Sequence, residues 1–249
     1  MAGHSHSSNI KHKKALIDNK RGKVWGKCSK AITVSARIGG GDPDGNPRLR
    51  LAIDDARAAN MPKDTIERAI KKGTGDLEGV SYEEITYEAY GPGGVAILVQ
   101  VLTDNRNRTV ADARSIITKH GGNLAAAGAV AWMFHKRGLI TVERAGVDED
   151  RVMEVALEGG AEDMREAGDL LEIITAPEQF DKVKEALDRA KVPVDSAEVT
   201  MLPQSTVAIS GKTAEQMVRL LEAVEDHDDV QSVSSNMDIA AEELERLSA

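Results

Sequence analysis

The sequence predicts an α+β fold of three domains: an N-terminal helical domain and two α+β, ferredoxin-like sandwich domains, the middle one discontinuous. Three observations predict it. Helical periodicity dominates the first third of the chain. A strand–helix–strand–strand–helix–strand order follows Gly138, which is the split βαβ unit. The elements before and after that unit are each too few to close a sheet, so they have to meet. The expected domains are residues 1–78, residues 79–136 together with 205–240, and residues 137–204 as an insertion. At 249 residues and 41% hydrophobic content the chain can fill several small cores. With aromatics at 3%, those cores are built from Val, Ile, Leu, Ala and Met.

Residues 1–9 are rich in Gly, His and Ser and read as disordered in isolation. A helical period runs from Asp18 to Ile38. Val24, Cys28, Ala31, Ile32 and Ser35 fall on one side, and Lys20, Lys23, Lys27 and Lys30 on another. The stretch GGGDPDGNP, residues 39–47, ends it, and Asn46-Pro47 opens a second helix carrying Leu49, Ala52, Ile53 and Ala56. Met61-Pro62 opens a third, with Ile66, Ala69 and Ile70, that ends at Gly73. Residues 85–105 read as two strands around Gly-Pro-Gly-Gly. The next helix, residues 109–122, is expected to start on a Thr109-x-x-Asp112 capping box and to stop at Gly121. AVAWMFH, residues 129–135, reads as a strand. The inserted unit places strands at 139–144, 162–167, 170–176 and 196–202 and helices at 150–160 and 177–190. A helix over 213–227 and a strand over 230–236 remain to complete the middle domain.

Charge is distributed unevenly. The net charge is −9, yet residues 1–80 hold 16 Lys and Arg against 9 Asp and Glu, a net of +7, and the rest of the chain carries −16. Such asymmetry predicts a basic module that meets a polyanion. Between Ile10 and Lys30 the single acid is Asp18. A merely solvated helix face mixes signs, and a transit peptide is rich in Arg and Ser rather than Lys. The expected phosphate contacts are Lys11, His12, Lys13, Lys14, Lys20, Arg21, Lys23, Lys27 and Lys30, with Arg48 and Arg50 at the start of the second helix. In DNRNRT, residues 104–109, Arg106 and Arg108 stand at a helix start that attracts anions. Equally, Asp and Asn there cap turns while the arginines pair locally.

Other classes find little support. GGGDPDGNPR lacks the Lys-Ser/Thr of a P-loop, and GPGG fits a hairpin turn, so no nucleotide or other cofactor is expected. His4, His6 and His12 lie on an N-terminal segment read as flexible, and no recurring metal spacing accompanies them. EDHDD, residues 225–229, reads as an exposed acidic helix end and loop. No Ser/His/Asp arrangement announces an enzyme. Cys28, the one cysteine, excludes an internal disulfide and fits a reducing, cytoplasmic compartment. No apolar run suffices to span a membrane, and no hydrophobic leader region is present.

MAGHS, NIKHKK (9–14), KRGK (20–23), GGGDP with NPRLR (39–50), NMPKDTIERAI (60–70), YEAYGPGG (87–94), DNRNRTVAD (104–112), GGNL (121–124), ALEGGAED (156–163) and DSAEV (195–199) together resemble the YebC family, conserved bacterial proteins related to PmpR-type regulators and to mitochondrial translational activators of cytochrome oxidase. The resemblance covers almost the whole chain. It implies the three-domain fold, no known catalytic centre, and one of two roles. One is DNA-binding transcriptional regulation, with transcription machinery as possible protein partners. The other is action in translation on ribosomal RNA, at the ribosome. A protein-interaction scaffold with incidental charge is a third reading, and the oligomeric state is left open. The family usually follows MAGHS with Lys-Trp-Ala, where this chain has His6, Ser7 and Ser8. Trp25, on the first helix, reads as a core residue, with a compensating exposed ring as the alternative.

Overall fold

The computed structural model describes residues 21–240 together with Glu243, Arg246 and Leu247; residues 1–9, read above as disordered, lie outside that range. Three helices open the described chain: α1 (Arg21–Gly39), α2 (Pro47–Ala58) and α3 (Lys63–Thr74). Their apolar stripes meet in one core of Ile32, Ala36, Leu49, Ile53, Ala56, Ile66 and Ala69. Trp25 and Cys28 pack against it, and the Trp25 indole donates to the Ala59 carbonyl at 2.9 Å. The ring therefore belongs to the domain's own packing. Burial pushes the Cys28 thiol up to about 11. The α1–α2 turn is fixed by Asn46. Its side-chain oxygen accepts from the Leu49 amide, and its side-chain amide donates to the Ser35 and Gly40 carbonyls. One residue thus caps α2 and satisfies the end of α1. Gly73 faces the Thr33 carbonyl and Ala36 with no room for a Cβ, which lets α3 cross α1 closely.

Next come β1 (Glu83–Tyr90), β2 (Ala96–Thr103), α4 (Arg106–Lys119) and β3 (Asn123–Leu124). Then follow β4 (Phe134–Glu143), α5 (Glu149–Gly159), β5 (Asp163–Ala167), β6 (Leu170–Thr175), α6 (Phe180–Arg189) and β7 (Val194–Pro203). The last elements are β8 (Val207–Ala208), α7 (Gly211–Glu225), β9 (Val230–Ser235) and β10 (Met237–Asp238). One four-stranded sheet has the order β3-β1-β2-β9, so β9 returns from late in the chain to the edge of β2. Helices α4 and α7 cover it, with Val99, Ala113, Ile117, Met217, Leu220 and Val233 between. The second sheet has the order β5-β6-β4-β7, antiparallel throughout. Its helices α5 and α6 enclose Ile140, Val142, Val152, Ala156, Ile173, Phe180 and Leu187. This alternation of layers is the mixed helix-and-sheet architecture that the sequence predicts. Among the described residues, no helix is long and apolar enough to cross a membrane.

Two local expectations are corrected. Helix α4 starts at Arg106, not on a Thr109 capping box: Asn105 is the cap and accepts from the Arg108 amide at 3.0 Å. Thr109 is instead buried, its hydroxyl within hydrogen-bond distance of Thr103 and Asp229. Residues 129–135 are not a separate strand. Ala131–Met133 form a 3-10 turn, and the strand begins at Phe134 and runs unbroken through the next predicted one. The physical reason is Glu88. Its buried carboxylate accepts from the amides of Gly128, Val130 and Ala131 at 2.6–2.8 Å, which takes those donors away from any ladder.

Candidate nucleic-acid interface

Helix α1 presents Lys23, Lys27 and Lys30 where the periodicity places them, but each is engaged by another part of the chain. They meet residues 225–229, where α7 ends. Lys23 pairs with Asp226 at 2.9 Å. Lys27 donates to the Glu225 carbonyl at 2.5 Å, and Lys30 to the Asp228 carbonyl at 3.1 Å and the Asp229 carboxylate at 2.6 Å. A helix C-terminus carries unsatisfied carbonyls and partial negative charge, so cations settle there. EDHDD is therefore not simply an exposed acidic end: Asp229 is 3% exposed, Glu225, Asp226 and His227 are half-buried, and Asp228 alone of the five is fully exposed.

Asp229 is the centre of this contact. Burial alone would raise its carboxyl. Hydrogen bonds from Lys30, Thr109 and Arg108 outweigh that and hold it well below the usual carboxylate range. Lys23 is raised by its bond to Asp226, whereas burial lowers Lys27. The pairs differ in weight. Lys23–Asp226 has side chains 44% and 37% exposed and contributes only about 0–1 kcal/mol. Lys30–Asp229, at 17% and 5%, is shielded and hydrogen-bonded on several sides.

The other expected contacts divide. Arg48 pairs with Glu84 of β1, and Arg50 with Asp181 of α6 at 2.6 Å, so both tie the helical domain to its neighbours. Arg108 pairs with Asp104 and Asp229 at 2.8 and 3.0 Å, which is the local-pairing reading of DNRNRT. Arg106 is exposed and makes no ion pair among the described residues. Arg21 opens α1. Lys11, His12, Lys13, Lys14 and Lys20 lie outside the described residues.

Sequence reasoning overlooked a second cationic face. On α3, Arg68, Lys71 and Lys72 are exposed and, among the described residues, have no ion-pair partner. Their i, i+3, i+4 spacing puts them on one side of the helix, away from Ile66, with the exposed Asp64 as the one acid among them. The signal was present in TIERAIKK, whose apolar set alone was read.

Residues 5–76 match the family described as TACO1/YebC protein N-terminal domain, and residues 82–237 match TACO1/YebC second and third domain. A probable transcriptional regulatory protein of Desulfatibacillum aliphaticivorans is 61% identical over 96% of this chain and 97% of its own length. One of the same description from Geobacter sulfurreducens is 58% identical over 99% and 100%. The crystal structure of a conserved hypothetical protein from Aquifex aeolicus superposes with a TM-score of 0.82 at 49% identity, covering 93% of this chain and 96% of that one. With both domain families matched in order and close relatives aligned nearly end to end, this chain belongs to the TACO1/YebC family.

Proposed function

We propose that this chain is a non-enzymatic, cytoplasmic nucleic-acid-binding regulator of transcription, whose helical domain contacts the phosphate backbone of duplex DNA. The observation that carries the reading is the free cationic face of α3, Arg68, Lys71 and Lys72, on a part of the chain with net charge +7. Such a face releases counterions from a polyanion without reading its sequence. The names of the relatives, probable transcriptional regulatory proteins, support the regulatory role. Lys11, His12, Lys13, Lys14, Lys20 and Arg21 add positive charge beside α1 in sequence, and Arg106 adds one free cation on the middle domain. The test is binding of duplex DNA against salt. In the variant Arg68→Glu, Lys71→Glu, Lys72→Glu, the salt slope should fall by about 1 per lost cation and affinity should drop at every salt concentration. An unchanged slope and affinity would reject the α3 face.

One observation favours a second reading, a ribosome-associated translation factor that binds ribosomal RNA. Trp132 stands 64% exposed on the middle domain, where an unpaired base could reach it. Cosedimentation with ribosomes that is lost at high salt would support this role, and consistent absence from ribosomal fractions would remove it.

A further inference from the structure

The chain has two Trp, three Tyr and two Phe. Of these seven rings, Tyr90 at 36% and Trp132 at 64% are the exposed ones, and their polar tips share one acceptor. The Tyr90 hydroxyl and the Trp132 indole N–H both donate to the carbonyl of Ala129, each at 3.2 Å. Their polar tips are thus satisfied internally. What they offer outward is ring surface.

The support is rigid. Glu88 holds the amides of Gly128, Val130 and Ala131. Gln204 donates its side-chain amide to the Trp132 carbonyl at 3.1 Å and its backbone amide to the Met133 carbonyl at 2.8 Å. Tyr90 is the last residue of β1, paired with Asn123 and Ala96. Little conformational entropy remains to be lost when a ligand docks.

The surroundings select the ligand. Residues 113–142 form the longest run in the chain without Asp or Glu, inside a body whose net charge is −16. That run carries Arg114, Lys119, Lys136 and Arg137, of which the first three are exposed. Lys119 ends α4, four residues before the partner of Tyr90, whereas Lys136 turns to the groove that Glu84 and Asp181 also line. The exposed neighbours on the loop are Ala126, Ala127 and Gly128, too small to surround a protein anchor with the occluding rim that such anchors have. Free ring faces near Lys119, which has no ion-pair partner among the described residues, suit an unpaired base and its flanking phosphate.

We propose that Tyr90 and Trp132 form a stacking platform for unpaired bases of a single-stranded nucleic acid, with Lys119 neutralising an adjacent phosphate. The platform rests on the nucleic-acid reading but uses a different domain from the α3 face. It is tested with the full chain, a short uridine ribo-oligonucleotide, the matching thymidine deoxy-oligonucleotide, and duplex DNA. Trp132→Ala should weaken single-strand binding by about tenfold or more, while Trp132→Phe retains most of it. Neither change should alter duplex binding or the thermal midpoint. Oligonucleotide should quench tryptophan emission in the wild type and leave the half-buried Trp25 of Trp132→Ala unquenched. A preference for one oligonucleotide identifies RNA or DNA as the source of the strand, and either is consistent with the platform.

Equal single-strand affinity of wild type and Trp132→Ala overturns the proposal, as does no binding by either at ordinary salt. Loss of a protein partner in Trp132→Ala with an unchanged oligonucleotide isotherm overturns it too. If Trp132-dependent binding persists while charge reversal on α3 leaves duplex binding untouched, the platform stands and the α3 reading falls. The opposite pattern separates them the other way.

Discussion

Helix α1 carries Lys23, Lys27 and Lys30 at i, i+4 and i+7; helix α3 carries Arg68, Lys71 and Lys72 at i, i+3 and i+4. Both rows are cationic, both lie opposite an apolar stripe, and both belong to the same three-helix core. The first row is closed over by residues 225–229 of the same chain, and the second is open. The difference lies about 200 residues away from α1. No local property of the helix determines it. A count of positive charge in a sequence therefore measures what a domain carries, and only the docking of the rest of the chain decides what it has left to offer. The same contact explains how a body of net charge −16 sits beside a basic domain. Part of that negative charge is the partner of the first row.

Removing the centre of the closed contact should have the largest effect. Asp229→Ala leaves Lys30, Arg108 and two threonine hydroxyls without their shared acceptor. Urea denaturation should show a loss of about 2–3 kcal/mol. The folded-state pKa of Asp229 is depressed, so its contribution is fully present above the unfolded value near 4 and is lost as pH falls through the lower folded value. A midpoint that changes little from pH 7 to about 5 and declines on further acidification fits this network. If Asp229→Ala were as stable as the wild type, residues 225–229 would not hold α1.

A smaller effect separates the two rows by function. Lys23→Gln with Lys27→Gln keeps length but removes charge from the closed row. Duplex DNA affinity should change less than twofold, since those amines already have partners, while stability should fall by about 1 kcal/mol. A loss of affinity as large as that from the α3 variant would mean that nucleic acid displaces the acidic segment.

The smallest effect concerns Cys28, on the half-buried side of α1. With its thiol pushed up to about 11, it should alkylate slowly in the folded protein at pH 8 and readily in urea. Rapid native alkylation would show that α1 frays from its core.

Much of the fold was legible because it is written locally. Asn46-Pro47, Gly73 and the apolar spacing of α2 and α3 each report a helix boundary within a few residues, although α3 runs on to Thr74 and Gly75 is its cap. The order of elements after Gly138 likewise follows from period and turn chemistry. What was illegible depends on single long-range acceptors. Glu88 turns a predicted strand into a turn that exposes Trp132, and Asp229 recruits Thr109, Arg108 and Lys30 from two domains. Neither carboxylate differs in sequence from an ordinary surface acid. Of the expected contacts, Arg48, Arg50 and Arg108 were legible as cations but not as ties between elements. The pairing that uses them is set by which faces meet.

The most direct test of the two-row comparison is amine labelling of the unliganded protein, read residue by residue by mass spectrometry. Lys71 and Lys72 should be acetylated quickly and Lys30 slowly, because Lys30 is bonded to Asp229 with 17% of its side chain exposed. Duplex DNA should then protect Lys71 and Lys72 and leave Lys30 as it was. Fast labelling of Lys30 without ligand, or DNA protection confined to α1, would contradict the comparison.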